Sequence, residues 1–237
     1  TVRGGDTVQV TATARALEKR GIQADVKLAK EKIDYNNYDL LHFFNITRPA
    51  DMLVHIQRSR KPYVLTPIWI DYSLYDRHQR TGITGSVFRL LNGDQAEYVK
   101  TIGRFITGRD ALPGNSFLWK GQSRSIRDIL RRSACLLVNS EREYSDIVKR
   151  YGVDRPFAVV PNGIDSEAYV TGSAREKDPK LVLCAARIEG IKNQLNLIRA
   201  MNNTAYRLVL AGEPAPGQQA YYEACRRTAA ANICFTG

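Results

Sequence analysis

The chain has 237 residues, 43% of them hydrophobic and 25% charged, the balance of a globular protein with room for two small domains. No apolar run approaches the roughly 20 residues of a bilayer span, and the polar stretch Thr1–Arg20 has no apolar centre of the kind a signal peptide carries, so the sequence predicts neither. Thirty-five Lys and Arg against 24 Asp and Glu leave +11, which favours anionic partners: phosphorylated small molecules, acidic lipid headgroups or nucleic acid.

A helical pattern opens the chain over Thr7–Lys19, directly after Arg3-Gly4-Gly5-Asp6. Glycines at a helix start let backbone amides approach a phosphate closely, although a plain turn explains the pair equally well. Strand-like runs follow at Ile22–Leu28, Asp39–Phe44 and Tyr63–Ile70. The stretch Arg77–Arg132 is irregular, glycine-bearing and basic, with 11 basic residues against four acidic ones, so most of the excess charge sits there. Within it, Ser123–Arg132 puts Ile126, Ile129 and Leu130 on one helical face beside Arg124, Arg127, Arg131 and Arg132. Such a helix either lies on an anionic membrane surface or turns its apolar face into the core.

A strand at Cys135–Asn139 leads into the clearest helix, Glu141–Tyr151. Tyr144, Ile147, Val148 and Tyr151 make one helical stripe, Ser140 and Glu143 form a capping box, and Gly152 is the stop. Phe157–Val160 is the next strand, closed by Pro161-Asn162-Gly163-Ile164-Asp165. The polar, turn-rich Ser166–Lys180 is the predicted linker, dividing the chain into domains over 1–165 and 166–237. Beyond it lie strands Leu181–Ala186, Arg207–Ala211 and Ile233–Phe235 and a helix over Asn193–Met201. Alternation of apolar strands with helices predicts an α/β fold with parallel sheets covered on both faces. In open sheets of that kind ligands bind beyond the carboxyl ends of the strands.

The four cysteines show neither a CxxC pair nor zinc-finger spacing and read as reduced structural thiols, which suits a cytoplasmic protein. Hydrolase, Walker and zinc-protease motifs are missing, and no GxGxxG follows a strand, which disfavours a nicotinamide enzyme. Charge alone supports a nucleic-acid-binding protein, without interleaved aromatics on a basic face. The sharpest constellation is Ala185-Ala186-Arg187-Ile188-Glu189-Gly190-Ile191-Lys192-Asn193-Gln194, where a strand ends on an arginine and a lysine follows as a helix begins. Two fixed cations at a strand end and helix start suit a diphosphate. The alternative is a surface pair of Arg187 with Glu189 and a solvated Lys192.

GGDTVQV with its helix, VNSEREYSDIVKRYGV, VPNGID, and ARIEGIKNQLNLIRAM followed by LVLAGEP occur in that order and resemble the GT-B retaining glycosyltransferases of family 4. DLLHFFNITRP and KPYVLTPIWIDYS resemble a bacterial branch that builds surface polysaccharides. The resemblance implies two Rossmann-like domains facing across a cleft: an acceptor-side domain at 1–165 and the first part of a nucleotide-sugar-binding domain at 166–237. It implies a hexosyltransferase using a nucleotide-diphosphate sugar and a glycan or lipid-linked acceptor, with no nucleic acid and no metal or other cofactor. Arg187 and Lys192 match the family's cations on the diphosphate, whose departure they would stabilise. Gly4 and Gly5 match the loop lining the donor; Asn162, Asn193 and Glu213 fall at further donor-side positions. Asp71 stands where the family often carries a histidine, and could bond an acceptor hydroxyl, act as a base, or simply cap a helix. Trp69, Asn45 and Arg48 are further cleft candidates, Trp69 being equally suited to a sugar or to the core. The resemblance also implies a protein of the cytoplasm, peripheral on the inner face of the membrane. It implies, too, a chain incomplete at both ends, without the family's first strand and its E-x7-E glutamates, for which a binding domain without turnover is the alternative.

Overall fold

The computed structural model describes residues 5–69, 115–164 and 178–237, and the elements named here are numbered among these. Two compact units divide them, one holding residues 5–69 and 115–164, the other residues 178–237. Gly4, Asp71 and all but the end of the predicted linker lie outside the described residues.

The first unit runs α1 (Gly5–Glu18), β1 (Leu41–Phe44), α2 (Pro49–Ser59), β2 (Tyr63–Thr66), α3 (Asn115–Arg132), β3 (Cys135–Val138), α4 (Glu141–Tyr151) and β4 (Phe157–Val159). Its strands lie in the order β1-β2-β3-β4, all parallel, with Leu41 opposite Tyr63, Leu65 opposite Leu136, and Leu136 opposite Phe157. Because side chains alternate along a strand, that register gathers Phe43, Tyr63, Leu65, Leu136 and Val138 on one face. Leu53 and Ile56 of α2, Ile126, Ile129 and Leu130 of α3 and Ile147 of α4 complete this core. Tyr63 is buried at the start of β2 and donates its hydroxyl to Ile129 O at 2.6 Å; burial pushes its pKa well up.

The packing of α3 decides between the two roles open to Ser123–Arg132. Ile126, Ile129 and Leu130 are 2%, 0% and 0% exposed, so the apolar face belongs to the core and cannot enter a bilayer. Each such burial is worth about 1.5–3 kcal/mol, and Arg124, Arg131 and Arg132 stay exposed. A backbone turn at Gly121 (φ 69°) bends this helix.

Ile22–Leu28 is not a strand. The run has no regular secondary structure, Ile22, Val26 and Leu28 are exposed, and β1, at the edge of its sheet, pairs only with β2 among the described residues. An apolar run becomes a strand only through a hydrogen-bonding neighbour. The strand expected over Tyr63–Ile70 stops at Thr66, since Pro67 has no N–H to donate and Ile68 turns to φ 47°. The α4 expectation holds at its bounds, with Ser140 Oγ accepting from Glu143 N–H at 3.2 Å and Gly152 closing the helix at φ 62°. The other half of the capping box does not form. The Glu143 carboxylate accepts instead from the backbone N–H groups of Asn139 and Trp69, each at 2.7 Å.

The second unit runs β5 (Leu181–Ala185), a 3₁₀ turn (Gly190–Lys192), α5 (Gln194–Met201), β6 (Arg207–Ala211), α6 (Gln219–Thr228) and β7 (Ile233–Thr236). The three strands are parallel in that order. Val182, Cys184, Leu208, Leu210, Ile233 and Phe235 pack under Ile198 of α5 and Cys225 of α6. Among the described residues nothing covers the opposite face, where Leu183 is 62% exposed and Cys234 is also exposed. Cys135, Cys184, Cys225 and Cys234 are all free thiols.

Candidate functional site

The carboxyl edge of β5-β6-β7 gathers the cationic loop. Leaving β5, the chain passes Ala186 and Arg187, then Ile188, whose N–H donates to Glu213 O at 2.9 Å while its own carbonyl accepts from Ala215 N–H at 3.1 Å. This backbone pairing sets the Glu213 segment, which follows β6, alongside the Arg187 segment, so residues 26 apart in sequence share one edge. Gly212 makes the approach possible. Its φ is +145°, and a Cβ built there would stand 2.3 Å from Ala186 O, closer than any side chain could come.

Gln194, 1% exposed, ties the loop from within. Its Nε2 donates to Arg187 O at 2.9 Å, and its Oε1 accepts from Glu189 N–H at 3.4 Å. Gly190 N–H is held by Gln218 Oε1 at 3.2 Å. Asn193 then takes the left-handed conformation (φ 59°) that asparagine tolerates better than most residues, and α5 begins. The loop is thus fixed by buried polar contacts before any charge is counted.

On this frame Arg187, Lys192, Asn193 and Glu213 are exposed to solvent. Arg187 meets Glu189 at 3.5 Å, the surface pair foreseen as one of its two roles, while its side chain keeps 54% of its surface. Lys192 makes no ion pair among the described residues. The start of α5 contributes less to an anion than expected of a helix N-terminus, because Leu195 N–H already donates to Tyr221 Oη at 3.0 Å. Attraction for an anion therefore rests on the two side-chain charges. A phosphate group with two charges competes well with one Glu189 carboxylate for Arg187.

The first unit has its own strand ends. Gly5 opens α1 and is exposed, with Asp6 Oδ1 accepting from Thr7 N–H at 2.9 Å. Asn45 (φ 69°) ends β1 and folds its Oδ1 back to accept from Thr47 N–H at 3.2 Å; Arg48 pairs with Asp51 at 3.0 Å. Trp69 packs half-buried against the core, edge-on to Tyr151 with ring centres 6.2 Å apart. Asn162 is exposed after β4. His42 on β1 meets Thr66 Oγ1 at 2.8 Å, and burial lowers its pKa to about 4, so its imidazole is neutral at physiological pH.

Among the described residues no group of three or more His, Cys, Asp and Glu could hold a metal ion, and no helix is long and apolar enough to cross a membrane. Sequence reasoning gave no role to Gln194, Gly212 or Tyr221. Gln194 and Gly212 stood inside quoted motifs, but a buried amide and a close backbone approach show only once the chain is folded.

The family model for Glycosyltransferase Family 4 matches residues 24–168. Sucrose-phosphate synthase from Thermosynechococcus elongatus is similar in fold, with a TM-score of 0.52 and 15% identity over 96% of this chain and 48% of that one. Anabaena HepE in complex with UDP is similar too, at a TM-score of 0.52 and 14% identity over 94% of this chain and 58% of that one. The likeness shows the GT-B fold, and the chain spans about half the length of these solved structures. Among curated proteins none matches.

Proposed function

The chain belongs to glycosyltransferase family 4, and on that premise we propose that it serves a retaining hexosyltransferase, moving a sugar from a nucleotide-diphosphate donor to a glycan or lipid-linked acceptor. The observation that carries this is the braced loop after β5, where Arg187 and Lys192 stand exposed on a backbone pinned by Gln194 and Gly212. In the transfer the bond from the anomeric carbon to the diphosphate oxygen breaks, and its electron pair leaves with the diphosphate. The acceptor hydroxyl oxygen bonds to that carbon on the same face, so configuration is retained. Its proton passes to Asp71 or to the departing diphosphate. Arg187 and Lys192 stabilise the negative charge as it grows, a role that calls for no metal. That HepE, of similar fold, was solved with UDP supports a nucleotide donor.

The acceptor side is assigned to the first unit, with Trp69 and Asn45 at the strand ends and Asp71 two residues beyond Trp69; Gly4, Gly5, Asn162, Asn193 and Glu213 line the donor. We assign the division of labour to domains 1–165 and 166–237, in a bacterial enzyme of surface-polysaccharide synthesis working at the cytoplasmic face of the membrane. With the apolar side of α3 in the core, membrane contact there would be electrostatic, through Arg124, Arg131 and Arg132.

The test is calorimetric titration of nucleoside diphosphates into the intact enzyme and its Arg187→Ala and Lys192→Ala variants. Loss of a charge-assisted bond to phosphate weakens affinity roughly 10- to 100-fold, Arg187 more than Lys192 because its guanidinium bonds in a fork. Unchanged affinity in both variants refutes the assignment. Tight binding without any sugar transfer would favour a binding domain over an enzyme.

A further inference from the structure

One carboxylate joins the carboxyl ends of two neighbouring strands. Glu143 stands in the first turn of α4 with 9% of its surface exposed. Its Oε1 accepts from the N–H of Trp69, which follows β2, and its Oε2 from the N–H of Asn139, which follows β3. Both contacts are 2.7 Å, short as charge-assisted bonds are. Asn139 is held from a third element, its Oδ1 accepting from Gln9 Nε2 of α1 at 3.1 Å. Helix capping does not account for this placement, since the Ser140 hydroxyl caps α4 by itself. The residue before Trp69 adds a separate sign of constraint: Ile68 sits at φ 47°, which a β-branched side chain rarely adopts. Such a conformation persists where neighbouring contacts hold it, and the Glu143 bond to the next N–H is one of them.

We propose that Glu143 is a positioning residue for sugar transfer, fixing Trp69 and Asn139 as one rigid wall at the mouth of β2 and β3 against which the acceptor is placed. The inference rests on the transferase reading above and gives a role to a residue that touches neither donor nor acceptor. Glutamine at this position keeps the shape but has one accepting atom, so one of the two N–H groups would face an amide NH₂ and lose its partner.

The chain has two tryptophans, and Trp119 is 88% exposed, so Trp119→Phe leaves Trp69 as the sole tryptophan of this chain, excited at the red edge where its tyrosines do not absorb. In that background Glu143→Gln is expected to red-shift Trp69 emission and raise its quenching by acrylamide. Acceptor KM should rise roughly tenfold and donor KM should stay unchanged. Glu143→Asp, which keeps the charge but shortens the reach by one methylene, should shift Trp69 the same way and serves if the glutamine variant fails to fold. Ser140→Ala removes the cap of α4 and leaves the clamp, and should leave the Trp69 signal alone. Unchanged Trp69 emission in both Glu143 variants, or an equal shift in Ser140→Ala, overturns the proposal. If the parent enzyme transfers no sugar, the transferase reading fails, while the Trp69 signal still decides whether Glu143 fixes the wall.

Discussion

Replacing Gly212 by alanine tests whether the two strand-end segments are held at glycine distance. At φ +145° an L side chain is strained, which costs about 1–3 kcal/mol. Its Cβ would also stand 2.3 Å from Ala186 O and 2.9 Å from Ala186 C, backbone atoms that cannot rotate away. Relieving that overlap means parting the ends of β5 and β6, a penalty of about 1–3 kcal/mol by analogy with overpacked cores. Gly212→Ala should therefore lose about 2–6 kcal/mol. Gly217 provides the control: its φ is +77° but a Cβ there meets nothing within 4 Å, so Gly217→Ala should show the conformational penalty alone, about 1–2 kcal/mol. Urea denaturation followed by circular dichroism measures both, with an unchanged m-value guarding against a change in the unfolded state. Because Arg187 follows Ala186, Gly212→Ala should also weaken nucleoside diphosphate binding, and Gly217→Ala should not. A Gly212→Ala protein no less stable than Gly217→Ala would show that the segments are not clamped and refute the reasoning.

Gln194→Leu removes no charge from the loop but leaves Arg187 O and Glu189 N–H without their partner, which should destabilise the protein by about 1–3 kcal/mol and weaken nucleoside diphosphate binding severalfold. Full affinity in the titration would mean that the amide does not position Arg187. His42 makes stability depend on pH. Its folded pKa of about 4 lies below the unfolded 6.5, so the unfolded chain binds the extra proton and stability falls as pH drops from about 6.5 towards 4. With one pKa unit worth about 1.4 kcal/mol, the loss is capped at about 3 kcal/mol. His42→Gln should flatten that slope in denaturation curves taken across the window, and an unaltered slope would assign it elsewhere. Vesicle flotation should detect weak binding to anionic liposomes that vanishes in high salt and in the Arg124→Ala, Arg131→Ala, Arg132→Ala triple variant, at about 1 kcal/mol per cation. Absence of any binding would remove α3 as a membrane contact.

Local pattern is enough to find most of the elements. The helix Glu141–Tyr151 was legible to its bounds because its stripe, its serine cap and its terminal glycine are contacts within one turn of chain. Arg207–Ala211 was likewise legible as an apolar strand, and Arg187 and Lys192 as charges where such a run gives way to a helix. What depends on distant chain was not legible. Ile22–Leu28 has strand composition but no neighbour to pair with among the described residues, and the apolar side of Ser123–Arg132 carries no mark telling core from membrane until α2 and the sheet cover it. Glu143 had the spacing of a capping box, yet its carboxylate accepts instead from the backbone N–H groups of Trp69, 74 residues earlier, and of Asn139. Composition, periodicity and motif order therefore determined the α/β class and the cationic loop. Tertiary structure alone decided which backbones the buried Glu143 and Gln194 hold, because a buried polar side chain goes to whichever unpaired N–H or C=O the fold brings within reach.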